Sequence, residues 1–197
     1  MQIIGHGPAP GSGRSISARL RGFACLAATV LLTLAAPPAP ARSPVPDADH
    51  AAAVEQEVLG ILSYTRWPAE PPELRLCVVG SADYADDLLA GATQASGRPV
   101  RSRRLTPGDP RIGTECDVVY LGALGEAERR PLYAQLVDRP ILSISERDAS
   151  CTVGSMFCLQ IEDTQIWFQV NLDSVARSRV RINPKVLQLG RRRTPAP

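Results

Sequence analysis

Short apolar runs along the chain predict a series of buried strands. The segments Leu74–Val79 and Cys116–Gly122 are continuously apolar or nearly so, and glycine follows or ends each of them, which is typical of strands inside a sheet. Pro140–Ser145 is a further buried run, and Val100–Leu105 is a strand candidate with three exposed arginines. Buried strands of this kind favour a sheet that is largely parallel.

Segments with apolar residues at helical spacing separate these strands. A first helix is predicted over Ala51–Tyr64, with Asp49 as its cap and an end before Pro68. A second helix is predicted to begin at a Ser81 cap and to be closed by Gly97, and a third covers Glu126–Val137. Strands that alternate with helices predict an α/β domain with helices on both faces of the sheet.

The second half of the chain changes pattern. The segments Met156–Ile161 and Gln165–Val170 flank the polar Glu162-Asp163-Thr164, which predicts a β-hairpin. A short helix from Asn171 to Ser178 and a strand at Val180 to Ile182 follow. A last helix is predicted from Lys185 to Leu189, with Pro184 at its first turn and Gly190 ending it. The prediction is therefore one α/β domain over residues 51–190, with a mixed, largely parallel sheet flanked by helices and a C-terminal β-hairpin.

The N-terminal 41 residues have the pattern of an export signal. Basic residues precede an apolar run of about 15 residues, which is shorter than the ~20 of a spanning helix. An A-x-A cleavage site follows at Ala39-Pro40-Ala41, and Cys25 precedes the apolar run, which argues against lipidation. We therefore expect residues 1–41 to be a cleaved signal peptide, residues 42–50 to be a flexible mature N-terminus and residues 191–197 to be a disordered tail.

Removal of the signal peptide changes the charge balance. The whole chain has 22 Lys+Arg and 20 Asp+Glu, and the removed segment contains three arginines and no acidic residue. The mature protein keeps 19 basic and 20 acidic residues, a net charge of −1. No basic excess remains for nucleic-acid binding.

Four cysteines remain in the mature chain: Cys77, Cys116, Cys151 and Cys158. They include no C-x-x-C pair, so we expect no zinc site. In an oxidising compartment two disulfides are expected, and three pairings are possible. Cys77–Cys116 is favoured because their strands can lie side by side, and Cys151–Cys158 because the two residues flank a short segment.

The side chains that catalysis needs are scarce. The chain has two histidines, His6 and His50, and His50 falls in the predicted flexible segment. Gly80-Ser81-Ala82-Asp83 resembles a phosphate-binding turn but lacks the lysine and further glycines of such motifs, so a helix cap explains it better. We expect a protein that is not an enzyme and has no metal and no cofactor.

Several motifs resemble the YfiR-like family of periplasmic regulators. The similarity covers about Val54 to Leu189 and includes all four mature cysteines. The motifs are Ile61-Leu62-Ser63-Tyr64-Thr65-Arg66-Trp67-Pro68, Leu76-Cys77-Val78-Val79-Gly80, Cys116-Asp117-Val118-Val119-Tyr120-Leu121-Gly122, Gly154-Ser155-Met156-Phe157-Cys158-Leu159, Phe168-Gln169-Val170-Asn171-Leu172-Asp173-Ser174-Val175-Ala176-Arg177-Ser178 and Asn183-Pro184-Lys185-Val186-Leu187-Gln188-Leu189.

The resemblance implies a fold, a location and partners. It implies an α/β sheet flanked by helices, a homodimer in the periplasm and the two disulfides Cys77–Cys116 and Cys151–Cys158. Such proteins bind the periplasmic sensor domain of an inner-membrane diguanylate cyclase and hold it inactive. An outer-membrane OmpA-like lipoprotein sequesters them, which raises cyclic-di-GMP and promotes biofilm formation.

The resemblance also implies a set of partner-binding residues: Arg66, Phe157, Leu172, Val175, Arg179 and Arg181. Asn183 stands where relatives can have a histidine, so a small-molecule pocket is not expected there. Two other classes compete with the regulator. A small periplasmic ligand-binding protein would hold its solute at the strand ends, and a secreted hydrolase would need a general base that the chain does not offer.

Overall fold

A computed structural model describes residues 47–148, 150–152, 154–162 and 165–191. The predicted signal peptide lies outside these residues. Helix α1 (Asp47–Ser63) begins four residues before the predicted start at Ala51, so Asp49 lies inside the helix and is not its cap. His50, predicted in a flexible segment, is helical and half-buried, with its ring centroid 5.3 Å from that of Tyr84.

The main strands and helices follow the predicted order. In chain order, the described strands are β1 (Thr65–Arg66), β2 (Leu74–Val79), β3 (Ala92–Thr93), β4 (Pro99–Leu105), β5 (Val118–Leu121), β6 (Leu142–Ser145), β7 (Phe157–Glu162), β8 (Gln165–Val170) and β9 (Arg181–Ile182). After α1, the described helices are α2 (Asp86–Ala90), α3 (Ile112–Glu115), α4 (Glu126–Leu136), α5 (Leu172–Ala176) and α6 (Leu187–Arg191). The structure adds the short elements β1, β3 and α3 to the predicted order.

Within the described residues, seven strands form one mixed sheet in the order β3-β4-β2-β5-β6-β7-β8. The five central strands are parallel to one another, while β3 and β8 are antiparallel strands at the edges. The β7–β8 hairpin confirms the predicted C-terminal hairpin, although its turn residues Asp163 and Thr164 lie outside the described residues. The predicted α/β fold with a mixed, largely parallel sheet is confirmed.

The sheet has a hydrophobic core on each face because successive side chains of a strand point to opposite faces. Leu76 and Val78 of β2 enter the core under α1 and α2. Cys77 and Val79 enter the second core, which contains apolar residues of α3 and α4. Helices therefore cover both faces of the central strands, as the sequence predicts.

The predicted helix between Ser81 and Gly97 is wrong in its extent. α2 has only the five residues Asp86–Ala90, and Ala85, not Ser81, occupies its N-cap. Ser81 instead pairs with Ala123, which follows β5. Gly97, at φ 84°, lies in the turn that joins β3 to β4. A long-range pairing replaces helix at the Ser81 end, and a local β3–β4 hairpin replaces it at the Gly97 end.

The C-terminal segment returns to the first helix. The strands β1 and β9 form a two-stranded antiparallel sheet in which Thr65 faces Ile182 and Arg66 faces Arg181. A 3₁₀ turn (Pro184–Val186) then leads into α6, which runs through Gly190 to Arg191. Gly190 therefore does not end the helix, and the predicted disordered tail of 191–197 is described only at the helical Arg191.

The two favoured disulfides are confirmed. Cys77 and Cys116 are bonded with a Cα–Cα distance of 5.8 Å, and Cys151 and Cys158 with 5.6 Å. The first bond lies within the second-face core and joins β2 to the residue two places before β5. The second bond fixes the approach to the β7–β8 hairpin.

Candidate functional site

An exposed leucine begins the short helix α5. The side chain of Asn171 caps the helix by accepting a hydrogen bond from the Ser174 amide at 3.0 Å. Leu172 is 72% exposed, the highest value among the large hydrophobic residues that the structure describes, whereas Val175 is half-buried and packs against the first-face core. These two predicted partner-binding residues therefore differ in burial, and Leu172 is the more exposed one.

Three arginines lie at or near the pair formed by β1 and β9. Of these two strands, β9 follows α5 along the chain. The Ser178 hydroxyl donates to the Val175 carbonyl at 2.9 Å and ends α5, and the buried Val180 then anchors the chain. Arg179 and Arg181 are exposed on either side of Val180, and Arg181 faces the exposed Arg66 across the strands. We call Arg66, Leu172, Arg179 and Arg181 the α5–β9 surface.

The arginines of the α5–β9 surface differ from many others in the protein because none forms an ion pair with a described carboxylate. Arg66 donates only to the backbone carbonyls of Ser63 and Thr65, at 2.9 and 2.8 Å. By contrast, Arg75 binds both carboxylate oxygens of Asp117, at 2.9 and 2.8 Å. Like charges that face each other across two strands favour an acidic partner.

Phe157 does not belong to this surface. Its side chain is fully buried, and its ring packs edge-to-face on Phe168 at a centroid distance of 5.3 Å. The sequence motif alone does not show this burial. Successive residues of a strand point to opposite faces, and the motif does not say which face is covered. Phe157 fills the core beneath the hairpin, and its contact with a partner stays a prediction.

A buried carboxylate was missed by the sequence analysis. Glu146 follows β6 with its side chain shielded from solvent, and it accepts hydrogen bonds from the Tyr120 hydroxyl at 2.9 Å and from the Asp83 and Tyr84 amides at 2.8 and 3.3 Å. Burial raises the pKa of Glu146, and the hydrogen bond from Tyr120 lowers it in part. Its position directly after a fully buried strand is the signal that could have identified it.

Glu146 also affects the tyrosine that it binds. Burial raises the pKa of Tyr120, and the neighbouring Glu146 carboxylate raises it further. Tyr120 therefore stays protonated and keeps its hydrogen bond to Glu146. The pair ties β5 and β6 to the loop before α2, which is a structural role.

The crevice where an α/β sheet usually binds ligands is closed. The strand β4 lies on one side of β2 in the sheet, and β5 lies on the other side. The strand order therefore reverses at β2, and the ends of β2 and β5 form the topological switch point. There the Ser81 amide donates to the Ala123 carbonyl at 3.1 Å and the Ala123 amide donates to the Ser81 carbonyl at 2.7 Å. A Cβ on Gly122 would lie 2.2 Å from the Ser81 carbonyl oxygen, so only glycine permits this approach.

The described residues include no cluster of His, Cys, Asp or Glu with the arrangement of a metal site. None of the described helices has the length and apolar character needed to cross a membrane. Residues 52–191 match the family described as DUF4154, YfiR/HmsC-like. That match spans most of the chain and nearly all of its described part.

Proposed function

The chain belongs to the YfiR/HmsC-like family, and we propose that it is a periplasmic inhibitor of an inner-membrane diguanylate cyclase. It binds the periplasmic sensor domain of the cyclase and represses cyclic-di-GMP synthesis. An outer-membrane OmpA-like lipoprotein releases the cyclase by sequestering the inhibitor. The family match is the observation that carries this proposal, because the family is consistent with a periplasmic regulator and is regulatory and non-catalytic.

Two structural features support a periplasmic protein that acts by binding. The disulfides Cys77–Cys116 and Cys151–Cys158 are stable in an oxidising compartment and, with the family assignment, indicate a location outside the cytoplasm. The α5–β9 surface combines an exposed leucine with arginines that have no described acidic partner. Apolar anchors and arginines are the residue types that dominate the energetics of protein interfaces.

The proposal assigns different tasks to the residues of the surface. Burial of Leu172 on complex formation contributes on the order of 1.5–3 kcal/mol, because most of its side chain now faces water. Arg66 and Arg181 steer an acidic patch of the cyclase domain or of the lipoprotein and fix its orientation. We propose the same surface for both partners, so that their binding is mutually exclusive.

A cellular experiment tests the inhibitor role. Deletion of the gene is expected to raise cyclic-di-GMP and biofilm formation, and the full-length gene supplied in trans is expected to restore the low level. A version without residues 1–41 is expected not to restore it, because the protein would stay on the cytoplasmic side of the inner membrane. Unchanged cyclic-di-GMP after both deletion and complementation would rule out the inhibitor role.

A binding experiment tests the surface. Leu172→Asp is expected to weaken pull-down of the cyclase domain and of the lipoprotein by at least tenfold. Ala127→Asp, which adds the same charge to an exposed residue of α4, is the matched control and is expected to bind like the unmodified protein. If both variants bind normally, the inhibitor uses a different surface. Competition between the two purified partners, together with sedimentation analysis of the free protein, tests mutual exclusion and the expected homodimer.

The alternative, a small periplasmic ligand-binding protein, would hold its solute at the switch point between β2 and β5. The hydrogen-bonded backbones of Ser81 and Ala123 occupy that point, so a solute would have to bind beside it. No observation of the same weight favours a transport function.

A further inference from the structure

A cleft of about 260 Å³ lies beside the closed switch point. It opens between the carboxyl ends of β5 and β6 and is bordered by Tyr133 of α4 and by the loop after β6. Its volume corresponds to about nine water molecules, at roughly 30 Å³ for each. A molecule with fewer than ten non-hydrogen atoms fits this space.

One wall of the cleft contains a buried hydroxyl group with no partner. Ser145, the last residue of β6, is 4% exposed, and no described atom accepts or donates a hydrogen bond at its Oγ. Its neighbour two positions earlier, Ser143, has its Oγ engaged by the Met156 amide at 3.1 Å. A buried hydroxyl without a partner costs about 1–3 kcal/mol, so Ser145 is a donor that a bound molecule can satisfy.

One arginine beside the cleft is available to a negative group. Arg129 of α4 has one distant ion-pair partner, Glu126 at 3.8 Å, and its side chain is 45% exposed. Arg147 lies on the opposite wall, where Asp83 and Glu146 hold it. Asp148 also lines the cleft, but its Oδ1 accepts from the Ser150 hydroxyl and the Cys151 amide at 3.0 and 3.1 Å.

The lining therefore offers Arg129, which no carboxylate holds closely, and a hydroxyl donor without a described partner. We propose that this cleft binds a small molecule through an oxyanion group, either a carboxylate or a phosphate. Arg129 pairs with the oxyanion, Ser145 donates to one of its oxygens or to an adjacent hydroxyl, and Tyr133 packs against the remaining atoms. The site is distinct from the α5–β9 surface and does not depend on the inhibitor function.

The test is a ligand titration monitored by NMR through the chemical shifts of backbone amides. The protein is expressed from the full-length gene and purified from the periplasm. The probes are inorganic phosphate and glycolate at constant ionic strength, with glycerol as the neutral comparison. We expect saturable shifts at residues 121–124 and 145–148 with one or both anions and none with glycerol. The anion whose binding saturates at the lower concentration shows whether the site prefers a carboxylate or a phosphate.

Two variants and a matched control make the result specific. Arg129→Gln is expected to weaken anion binding by at least tenfold, whereas Arg130→Gln, the same change on the next exposed residue of α4, is expected to change it less than twofold. Ser145→Ala is expected to weaken binding at least threefold without lowering the melting temperature, because it removes a buried hydroxyl that has no partner.

Three outcomes would overturn the proposal. The first is the absence of saturable shifts with both anions. The second is equal loss with Arg129→Gln and Arg130→Gln, which would indicate general charge attraction. The third is a crystal structure in either anion in which only an ordered water contacts Ser145. Each of these outcomes leaves the inhibitor proposal standing, because that proposal is tested through cyclic-di-GMP.

Discussion

Removal of the two disulfides one at a time is expected to have unequal effects on stability. The bonds close loops with sequence separations of 39 and 7 residues. In the chain-entropy model these loops correspond to stabilisation of about 4 kcal/mol and about 2.4 kcal/mol, respectively. Replacement of Cys77 and Cys116 by alanine should therefore lower the free energy of unfolding by about 1.5 kcal/mol more than replacement of Cys151 and Cys158.

Burial favours a clean comparison between the two pairs. Cys77 and Cys158 are fully buried, and Cys116 and Cys151 are 4% and 8% exposed, so each double alanine variant removes similar side-chain contacts. Double variants also avoid a free thiol that could form a new disulfide. The remaining difference between the variants is then dominated by loop length, since a disulfide acts mainly on the unfolded chain in this model.

The assay is urea unfolding, with linear extrapolation of the free energy and comparison of the slopes. Peptide mapping without reductant verifies the remaining bond in each variant. Equal losses, or a larger loss for the Cys151–Cys158 variant, would refute the loop-length reasoning and point to residual structure in the unfolded chain. A changed slope in one variant would locate that residual structure.

Three further predictions follow from burial, titration and close contact. Leu172→Asp should change the free energy of unfolding by no more than about 0.5 kcal/mol, whereas Val175→Asp should lower it by about 1–3 kcal/mol because its side chain packs on the core; equal thermal melts would contradict this. Burial raises the pKa of Glu146 above the ordinary 4.5, so the folded state holds this proton more tightly and its contribution to stability falls as pH rises through the folded pKa. Glu146→Gln should remove that fall from the pH profile of urea unfolding, and an unchanged profile would contradict the assignment. Gly122→Ala should cost about 3 kcal/mol or more because its Cβ would meet backbone atoms at 2.2 Å, whereas Gly108→Ala, with open space around it, should cost less than about 0.5 kcal/mol in the same measurement.

Much of the fold could be predicted from local patterns. β2 occupies the predicted Leu74–Val79, and the hairpin strands lie within one residue of their predicted bounds. Asn171 begins α5 as predicted, because an asparagine side chain can cap a helix wherever the following residues are helical. These features depend on the periodicity of apolar residues and on short-range hydrogen bonds, and both are written in consecutive residues.

The candidate site was predicted only in part. The motif resemblance supplied Arg66, Leu172, Arg179 and Arg181, which are exposed, but it also supplied Phe157, which is buried. Residue type does not separate these cases, since leucine and phenylalanine are both more often buried than exposed. Their exposure depends on which element packs over them, and that information lies elsewhere in the chain.

The sequence by itself determined the main strands and helices, the two-faced sheet and an even set of four cysteines after residue 41. Only the tertiary structure decided that Ser81 pairs with Ala123 and does not cap a helix. It also decided that Glu146 accepts a hydrogen bond from Tyr120 and that Arg66 faces Arg181. Each of these pairs joins residues at least 26 positions apart. Such contacts depend on the packing of whole elements, to which the local pattern of apolar and polar residues is blind.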